Sequence, residues 1–365
     1  MNELDIKRKE INEIDKEIAS LFERRMNCSK EVAEYKIKHS IPILDSTREQ
    51  EVIKRNSEYI KDEVIKEYYI NFIKSTMDIS KNYQSRIING MKVAYSGVEG
   101  AFAHIAAMRM FPNANYISYP SFTAAYEATV NGECDTCVLP LENSYAGEVG
   151  LVMDLVFSGS LYINQVIELE VVHNLLAKKG TELKDIKTVV SHQQAISQCL
   201  EYITKKDLKF IEAPNTAVAA KMVAEGDDKS IAAIASIDTA NLYGLEVLES
   251  NINSNYNNTT RFGAFSRCLN TENQTGKMGQ HFILVFTVKN EAGALAKTLN
   301  IIGSHGFNMR NLRSRPMKEL IWNYYFYVEL DGNINSNEGK EMLRALNIFC
   351  DKLKLVGIYT HKVEK

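Results

Sequence analysis

Residues 4–25 read LDIKRKEINEIDKEIASLFERR. Ile11, Ile14, Ile18, Leu21 and Phe22 recur at the 3.6-residue period of a helix, with acids and bases between them. Glycine, costly in a helix interior, is absent from residues 1–89, and Pro42 is the one proline there. Residues 1–90 hold 17 Lys+Arg against 17 Asp+Glu, a dense and balanced charge that suits long amphipathic helices. The pattern predicts a first helix from about Leu4 to Lys38, on the order of 50 Å long. Beyond Pro42, Ser46-Thr47-Arg48-Glu49 has capping-box spacing and opens a second helix; a third should cover about Lys61 to Ser85. Three such helices cannot bury that stripe as a compact monomer, so they should pair with a second copy.

From Met91 the texture changes. MKVAYSG, NYISYPS, CDTCVLPLEN, KTVVSH, LKFIEAP and SIAAIAS read as buried strands, separated by helical runs such as AFAHIAAMRMF and TAVAAKMVAEG. That alternation predicts α/β units on a largely parallel sheet, in two lobes with a cleft between them. LNTENQTGKMGQ, residues 269–280, reads as a linker. After it the order β-α-β-β-α-β predicts a ferredoxin-like α+β module.

The whole chain has 365 residues, 45% hydrophobic and 24% charged, with a formal net charge of −3. That balance suits several globular domains and gives no basic excess for nucleic acid. No apolar run is long enough for a membrane span, and the N-terminus lacks a signal-peptide core. A cytoplasmic protein with its six cysteines reduced is expected. Cys134 and Cys137 form a lone Cys-x-x-Cys on a predicted strand, which reads as core rather than zinc. The turn at 97–100 lacks Gly-x-Gly-x-x-Gly, so neither a dinucleotide nor any other cofactor or metal is expected.

On the helices, Arg25 and Lys36 lie three turns apart on one face, and Ser80 and Gln84 are at i and i+4. Inward-facing, they would bind a small dianion; outward-facing, they would be solvated surface groups. The segments IKRKEINEIDKEIASLFERR, EVAEYK, PILDSTREQEV and MDISKNYQ resemble the all-helical chorismate mutase family. The resemblance implies a substrate-binding set of Arg8, Arg25, Lys36, Asp45, Arg48, Glu49, Ser80 and Gln84, in an intertwined dimer where Arg8 reaches the partner's site. Glu49 has a second reading as the capping partner of Ser46. The implied reaction, chorismate to prephenate, is pericyclic and needs no nucleophile. Holding the reactive conformer and stabilising charge on the breaking ether oxygen suffice, for which Lys36 and Gln84 are donors and the arginines carboxylate ligands.

Four further motifs resemble prephenate dehydratases. They are Gly97-Val98-Glu99-Gly100-Ala101-Phe102-Ala103-His104, Leu139-Pro140-Leu141-Glu142-Asn143-Ser144, Val190-Ser191-His192-Gln193-Gln194-Ala195-Ile196-Ser197-Gln198-Cys199, and Asn258-Thr259-Thr260-Arg261-Phe262. The resemblance implies a two-lobed α/β fold like periplasmic binding proteins, with Glu142, Asn143, Ser191, Gln198, Thr260, Arg261 and Phe262 in its site. Val98, Ala101, Ala103 and Gln193 depart from the usual residues. The implied reaction expels CO₂ and a ring hydroxyl from prephenate, so a donor is needed at the departing oxygen; that role falls on Thr260. Taken alone, Thr260-Arg261-Phe262 also reads as the start of a strand, with Arg261 in a structural ion pair; the other three motifs favour the site.

Gly293-Ala294-Leu295 and Arg313-Ser314-Arg315-Pro316 resemble the paired motifs of the amino-acid-binding ACT domain, although Ala292 and Arg313 replace the usual proline and glutamate. Trp322, the one tryptophan, follows directly. The implied organisation is a mutase domain at 1–88, a dehydratase domain at 91–268 and an ACT regulatory domain at 280–362. The implied small-molecule partners are chorismate, prephenate and the effector phenylalanine, in a homodimer or homotetramer, with no nucleic acid or membrane. Rival readings keep the mutase but make the rest an arogenate dehydratase, or an amino-acid sensor without turnover.

Overall fold

Residues 3–39 form one helix because nothing in them interrupts it. Helix α1 (Glu3–His39) opens on a capping box in which the Asn2 side chain accepts from Asp5 N–H, and it stops at Ser40 in the left-handed conformation. Pro42 lies just beyond, where a helix could not continue. Helix α2 (Ser46–Ser57) follows, then α3 (Glu63–Asn89), whose first turn is capped by the Asp62 carboxylate accepting from Val64 and Ile65 N–H. These bounds differ by a few residues from those expected. A computed structural model of the chain describes residues 2–44, 46–254, 258–269, 280–317 and 324–363. Asp45, Trp322 and most of the 269–280 linker fall outside them.

The chain divides into two compact units, Met1–Lys92 and Val93–Lys365. In the first, α1 and α2 both pack on α3. Ser29 and Ala33 are the buried residues of α1, against Ile73, Thr76, Ser80 and Gln84 of α3. Ile11, Ile14, Ile18 and Leu21 stay about half exposed, so one copy leaves the stripe bare.

The second unit opens with β1 (Lys92–Ser96), α4 (Phe102–Met110), β2 (Asn115–Tyr119), α5 (Phe122–Val130), β3 (Thr136–Asn143), β4 (Gly147–Glu148), α6 (Gly150–Ser158) and β5 (Tyr162–Glu170). The chain then crosses to a second lobe: β6 (Asn174–Ala177), β7 (Thr188–Ser191), α7 (Gln193–Gln198), α8 (Leu200–Lys205), β8 (Lys209–Glu212), α9 (Thr216–Glu225), β9 (Ile231–Ala235), α10 (Ile237–Tyr243) and β10 (Glu246–Glu249). It returns through residues 251–258 to β11 (Thr259–Ser266), which lies between β3 and β5 in the first sheet.

Neither sheet is largely parallel, contrary to expectation. β1 pairs parallel with β3, but β11, re-entering from the second lobe, runs antiparallel to both β3 and β5. The second sheet, ordered β10-β6-β9-β7-β8, likewise mixes parallel and antiparallel pairs. Strand β8 is also not buried as its apolar run suggested. It is an edge strand, with Phe210 and Ile211 exposed.

The C-terminal elements are β12 (Gln280–Thr287), α11 (Ala294–Ser304), β13 (Met309–Pro316), β14 (Tyr324–Asp331), α12 (Asn337–Phe349) and β15 (Lys352–Val363), in the expected β-α-β-β-α-β order. The expected boundary at 268–280 is not a break in packing, because β15 pairs parallel with β5 and continues the first sheet. Gly357 allows that approach, since a Cβ there would collide with the Ile163 carbonyl of β5. Every residue of β12 is buried. One face lies against Ile302, Met342 and Leu346 of the helices; the other shares a core with Val152, Val156 and Phe265 of the first lobe. No described helix is long and apolar enough to cross a membrane.

Candidate active site

In the helical unit, α1 and α3 bring Arg25 against Ser80. The guanidinium donates to Ser80 Oγ and, at 3.2 Å, to the Thr76 carbonyl. Burial lowers the Arg25 pKa from its ordinary value. One turn beyond Ser80, Gln84 is buried with its Oε1 unpartnered among the described residues. Glu49 of α2 pairs with Lys81 at 2.7 Å; the Lys81 pKa is raised by its bonds to Glu49 and Asp78. Lys36 donates to the Ile43 carbonyl at 2.7 Å, and Arg48 pairs with Glu51 at 3.2 Å. Arg8 has no partner among the described residues and lies 17 residues before Arg25 on the same helix, about 25 Å away. One copy therefore assembles Arg25, Ser80 and Gln84, places Glu49 nearby on Lys81, and leaves Arg8 apart.

In the α/β unit, Asn143 and Thr260 are brought together by the β3–β11 pairing, which sets Thr260 directly opposite Asn143. The orientation of the Asn143 amide is decided by the backbone. Its Oδ1 accepts from Tyr145 N–H at 3.0 Å and Ala146 N–H at 2.9 Å. Its Nδ2 must then donate, and it does so to Thr260 Oγ1 at 2.9 Å, Asn258 Oδ1 at 2.7 Å and the Thr259 carbonyl at 3.3 Å. Thr260 is thus an acceptor from Asn143, and its own hydroxyl hydrogen has no acceptor among the described residues. Asn258 continues the chain, donating through Nδ2 to Gln198 Oε1 at 3.0 Å. Gln198 and Asn258 line a small cavity of about 70 Å³ with Tyr145, Ser197, Asn253 and Ser254.

Beside this chain lies a cluster of charges. Arg261 Nη1 pairs with Glu142 at 2.8 Å, and the same guanidinium meets Glu329 of β14 through both carboxylate oxygens, at 3.0 and 2.8 Å. Tyr359 accepts from Arg261 at 2.9 Å and donates to Glu329. Glu142 is held from its other side by Arg313 of β13. Arg315, on the same face of that strand, pairs with Glu148 and, at 3.3 Å, with Asp154. Burial alone would raise the Glu329 pKa, but the Arg261 guanidinium and Tyr359 hydroxyl outweigh it and hold the carboxyl below its usual range.

Two family models match the chain: prephenate dehydratase over residues 93–268 and chorismate mutase type II over residues 7–85. A protein of Buchnera aphidicola subsp. Acyrthosiphon pisum named bifunctional chorismate mutase/prephenate dehydratase is 30% identical over 373 residues, covering 98% of this chain and 96% of its own. The chain belongs to this bifunctional family. An Arabidopsis thaliana protein named arogenate dehydratase/prephenate dehydratase 1, chloroplastic, is 30% identical, covering 74% of this chain and 72% of its own. The crystal structure of a prephenate dehydratase from Arthrobacter aurescens in complex with L-Phe superposes with a TM-score of 0.67 at 27% identity, covering 74% of this chain and 90% of that one.

Other residues expected in the dehydratase site stand apart from the amide chain. Ser191 is fully buried in the second sheet, its hydroxyl donating to the Ile234 carbonyl at 2.6 Å. Phe262 is a core residue. The first turn is folded on itself, Gly100 N–H donating to His104 Nδ1 at 3.1 Å and Thr239 of the second lobe donating to the Gly100 carbonyl at 3.1 Å. Cys134 and Cys137 are buried, and burial pushes the Cys137 thiol up to about 12. In the C-terminal module Gly293 caps α11, with Ala294 and Leu295 in its first turn. Arg313 and Arg315, by contrast, point at the dehydratase, while Ser314 and Pro316 are exposed.

A larger cavity of about 780 Å³ lies between α6 and the C-terminal sheet, away from Thr260. Two of its charged groups are already held structurally, Asp154 by Arg315 and Tyr325, and Lys354 by the carbonyls of Val156 and Gly159. Asn258 opens the motif that carries Thr260, but sequence reasoning gives it no role of its own; His173 and Glu329 have no local signal.

Proposed function

We propose that the two units act in series. The helices rearrange chorismate to prephenate, and the α/β unit converts prephenate to phenylpyruvate, water and CO₂. In the mutase, Arg25 binds a substrate carboxylate and Gln84, with its unpaired buried amide oxygen, adjoins the reacting atoms. Charge-assisted bonds to the two carboxylates favour the compact reactive conformer. The bare stripe of α1 and the roughly 25 Å between Arg8 and Arg25 support a homodimer in which Arg8 completes the partner's site.

In the dehydratase the observation that carries the reading is the Thr260 hydroxyl hydrogen, which has no acceptor among the described residues. Because Asn143 donates to Oγ1, Thr260 is left to donate to the departing ring hydroxyl. As the bond to the carboxylate breaks, its electron pair moves into the ring and the C–O bond cleaves; hydroxide leaves against the Thr260 hydrogen bond and takes one proton from solvent to become water. The Glu142 carboxylate is occupied as an acceptor from Arg261 and Arg313. Gln198 presents its amide to the substrate from the second lobe.

Feedback by phenylalanine belongs to the same reading. Its support is the β-α-β-β-α-β module with the two ACT-like motifs, and the phenylalanine complex of the Arthrobacter aurescens dehydratase. The Arabidopsis relative keeps arogenate as a second substrate, differing from prephenate by an amine in place of the ketone. Incubation with chorismate tests the series: phenylpyruvate should accumulate, and an enzyme that stops at prephenate would overturn it. Parallel assays on prephenate and arogenate rank the substrates, and titrated phenylalanine should slow dehydration.

A further inference from the structure

We propose that His173 is a positioning residue of the dehydratase, fixing from the inter-lobe crossing the Gln198 amide that faces substrate. His173 lies between β5 and β6, where the chain first leaves the first lobe. The returning segment runs beside it: Ile252 N–H donates to the His173 carbonyl at 2.9 Å, His173 N–H to Asn253 Oδ1 at 2.7 Å, and Val171 N–H to the Asn258 carbonyl at 2.7 Å. The imidazole is buried, with Nε2 at 2.9 Å from Gln198 Oε1 and Phe102 edge-on to the ring at 6.1 Å.

The direction of every bond follows from the two backbone donors on Asn143. Asn143 Nδ2 donates to Asn258 Oδ1, so Asn258 Nδ2 is the donor to Gln198, and the Gln198 atom it meets is the oxygen. His173 meets that same oxygen, so Nε2 must carry the proton and Nδ1 must be bare. Nδ1 is buried without a partner among the described residues, as that tautomer requires of a ring with no donor beside it. Burial lowers the His173 pKa, which keeps the ring neutral near pH 7. With Oε1 accepting twice, the NH₂ is the part of the Gln198 amide left for substrate. The chain runs from Gln198 on α7 through Asn258 to Asn143 and Thr260 in the first lobe, and His173 joins it at Gln198 from the crossing, so the second-lobe end of the chain is fixed at the crossing.

The inference rests on Gln198 and Thr260 belonging to the dehydratase site. In the full chain, His173→Leu should lower dehydratase kcat/KM about tenfold, the equivalent of one neutral hydrogen bond. His173→Gln, which keeps a donor at nearly the same reach, should recover most of it. His173→Leu should cost little more once Gln198→Leu is present, and the mutase rate should hold throughout. Normal turnover in a folded His173→Leu protein, no recovery with Gln, or full additivity with Gln198→Leu would each overturn the proposal. A Gln198→Leu enzyme with normal turnover would instead remove the site assignment beneath it. Nitrogen-15 spectra of the unaltered protein need no variant: Nε2 of His173 should carry the proton from pH 6 to 8, and an Nδ1–H tautomer would exclude the proposed bond.

Discussion

Glu329 of the C-terminal module grips Arg261, the residue after Thr260, through both carboxylate oxygens. The Arg261 side chain is 16% exposed and that of Glu329 2%, so the pair is largely out of water. A buried pair of this kind is strong only while both partners are present; removing one leaves an uncompensated charge. The module that resembles a regulatory domain therefore holds part of the dehydratase motif in place.

Glu329→Gln should destabilise the α/β unit by about 3 kcal/mol, because the Arg261 charge stays buried with less compensation. Urea unfolding monitored on that unit, with and without the substitution, measures it. A change within 0.5 kcal/mol, about the noise of such comparisons, would mean that Glu142 and Tyr359 suffice to hold Arg261.

Arg313→Glu replaces the cation paired with Glu142 by a carboxylate set against it. Dehydratase turnover should fall about tenfold or more, while Arg313→Ala, leaving Glu142 with Arg261, should fall less. Steady-state rates on prephenate, with mutase rate as the control, decide it. Equal effects of the two substitutions would show that repulsion at Glu142 is not the cause.

Thr260→Val keeps the shape and removes the hydroxyl. kcat for dehydration should drop by about a hundredfold or more with KM changed little, since the lost bond forms to charge that develops on the departing oxygen. A change confined to KM would reassign Thr260 to binding of the ground state.

Arg25→Ala should lower the mutase rate about a hundredfold, from about 3 kcal/mol for a carboxylate without its charged donor. Prephenate turnover should stay near normal. Loss of both activities in a folded protein would contradict separate sites.

Acid should weaken the α/β unit in two stages. Burial lowers the pKa values of His104, His173 and His281, with Arg310 adding to the effect at His281 and Asp331 opposing it. The unfolded chain takes up protons near its ordinary 6.5 that the folded rings refuse, so stability falls as pH drops below about 6.5, each ring contributing up to about 1.4 kcal/mol per pH unit. Glu329 acts in the opposite range: its lowered folded value gives stability that is full above the ordinary 4.5 and lost as pH falls through the folded value. Denaturation midpoints from pH 8 to 4 should trace this decline; a flat profile between 6.5 and 5 would mean that the histidines become protonated without unfolding.

What the sequence determined by itself was what repeats or signals locally. A glycine-free run with a 3.6-residue stripe specifies α1 to within a residue at each end, because helical hydrogen bonds join neighbours four apart. The same stripe, about half exposed in one copy, already asked for a partner. The motif residues Asn143, Gln198 and Thr260 were visible as types in order. Only the tertiary structure decided which way their amides and hydroxyl face, since Asn143 and Asn258 lie 115 residues apart and their bonds exist only once β11 has returned beside β3. The parallel pairing of β15 with β5 and the ion pair of Arg313 with Glu142, 171 residues apart, are of the same kind. No local period encodes such contacts. They depend on which surfaces are left to be covered after each module has formed its own strands and helices.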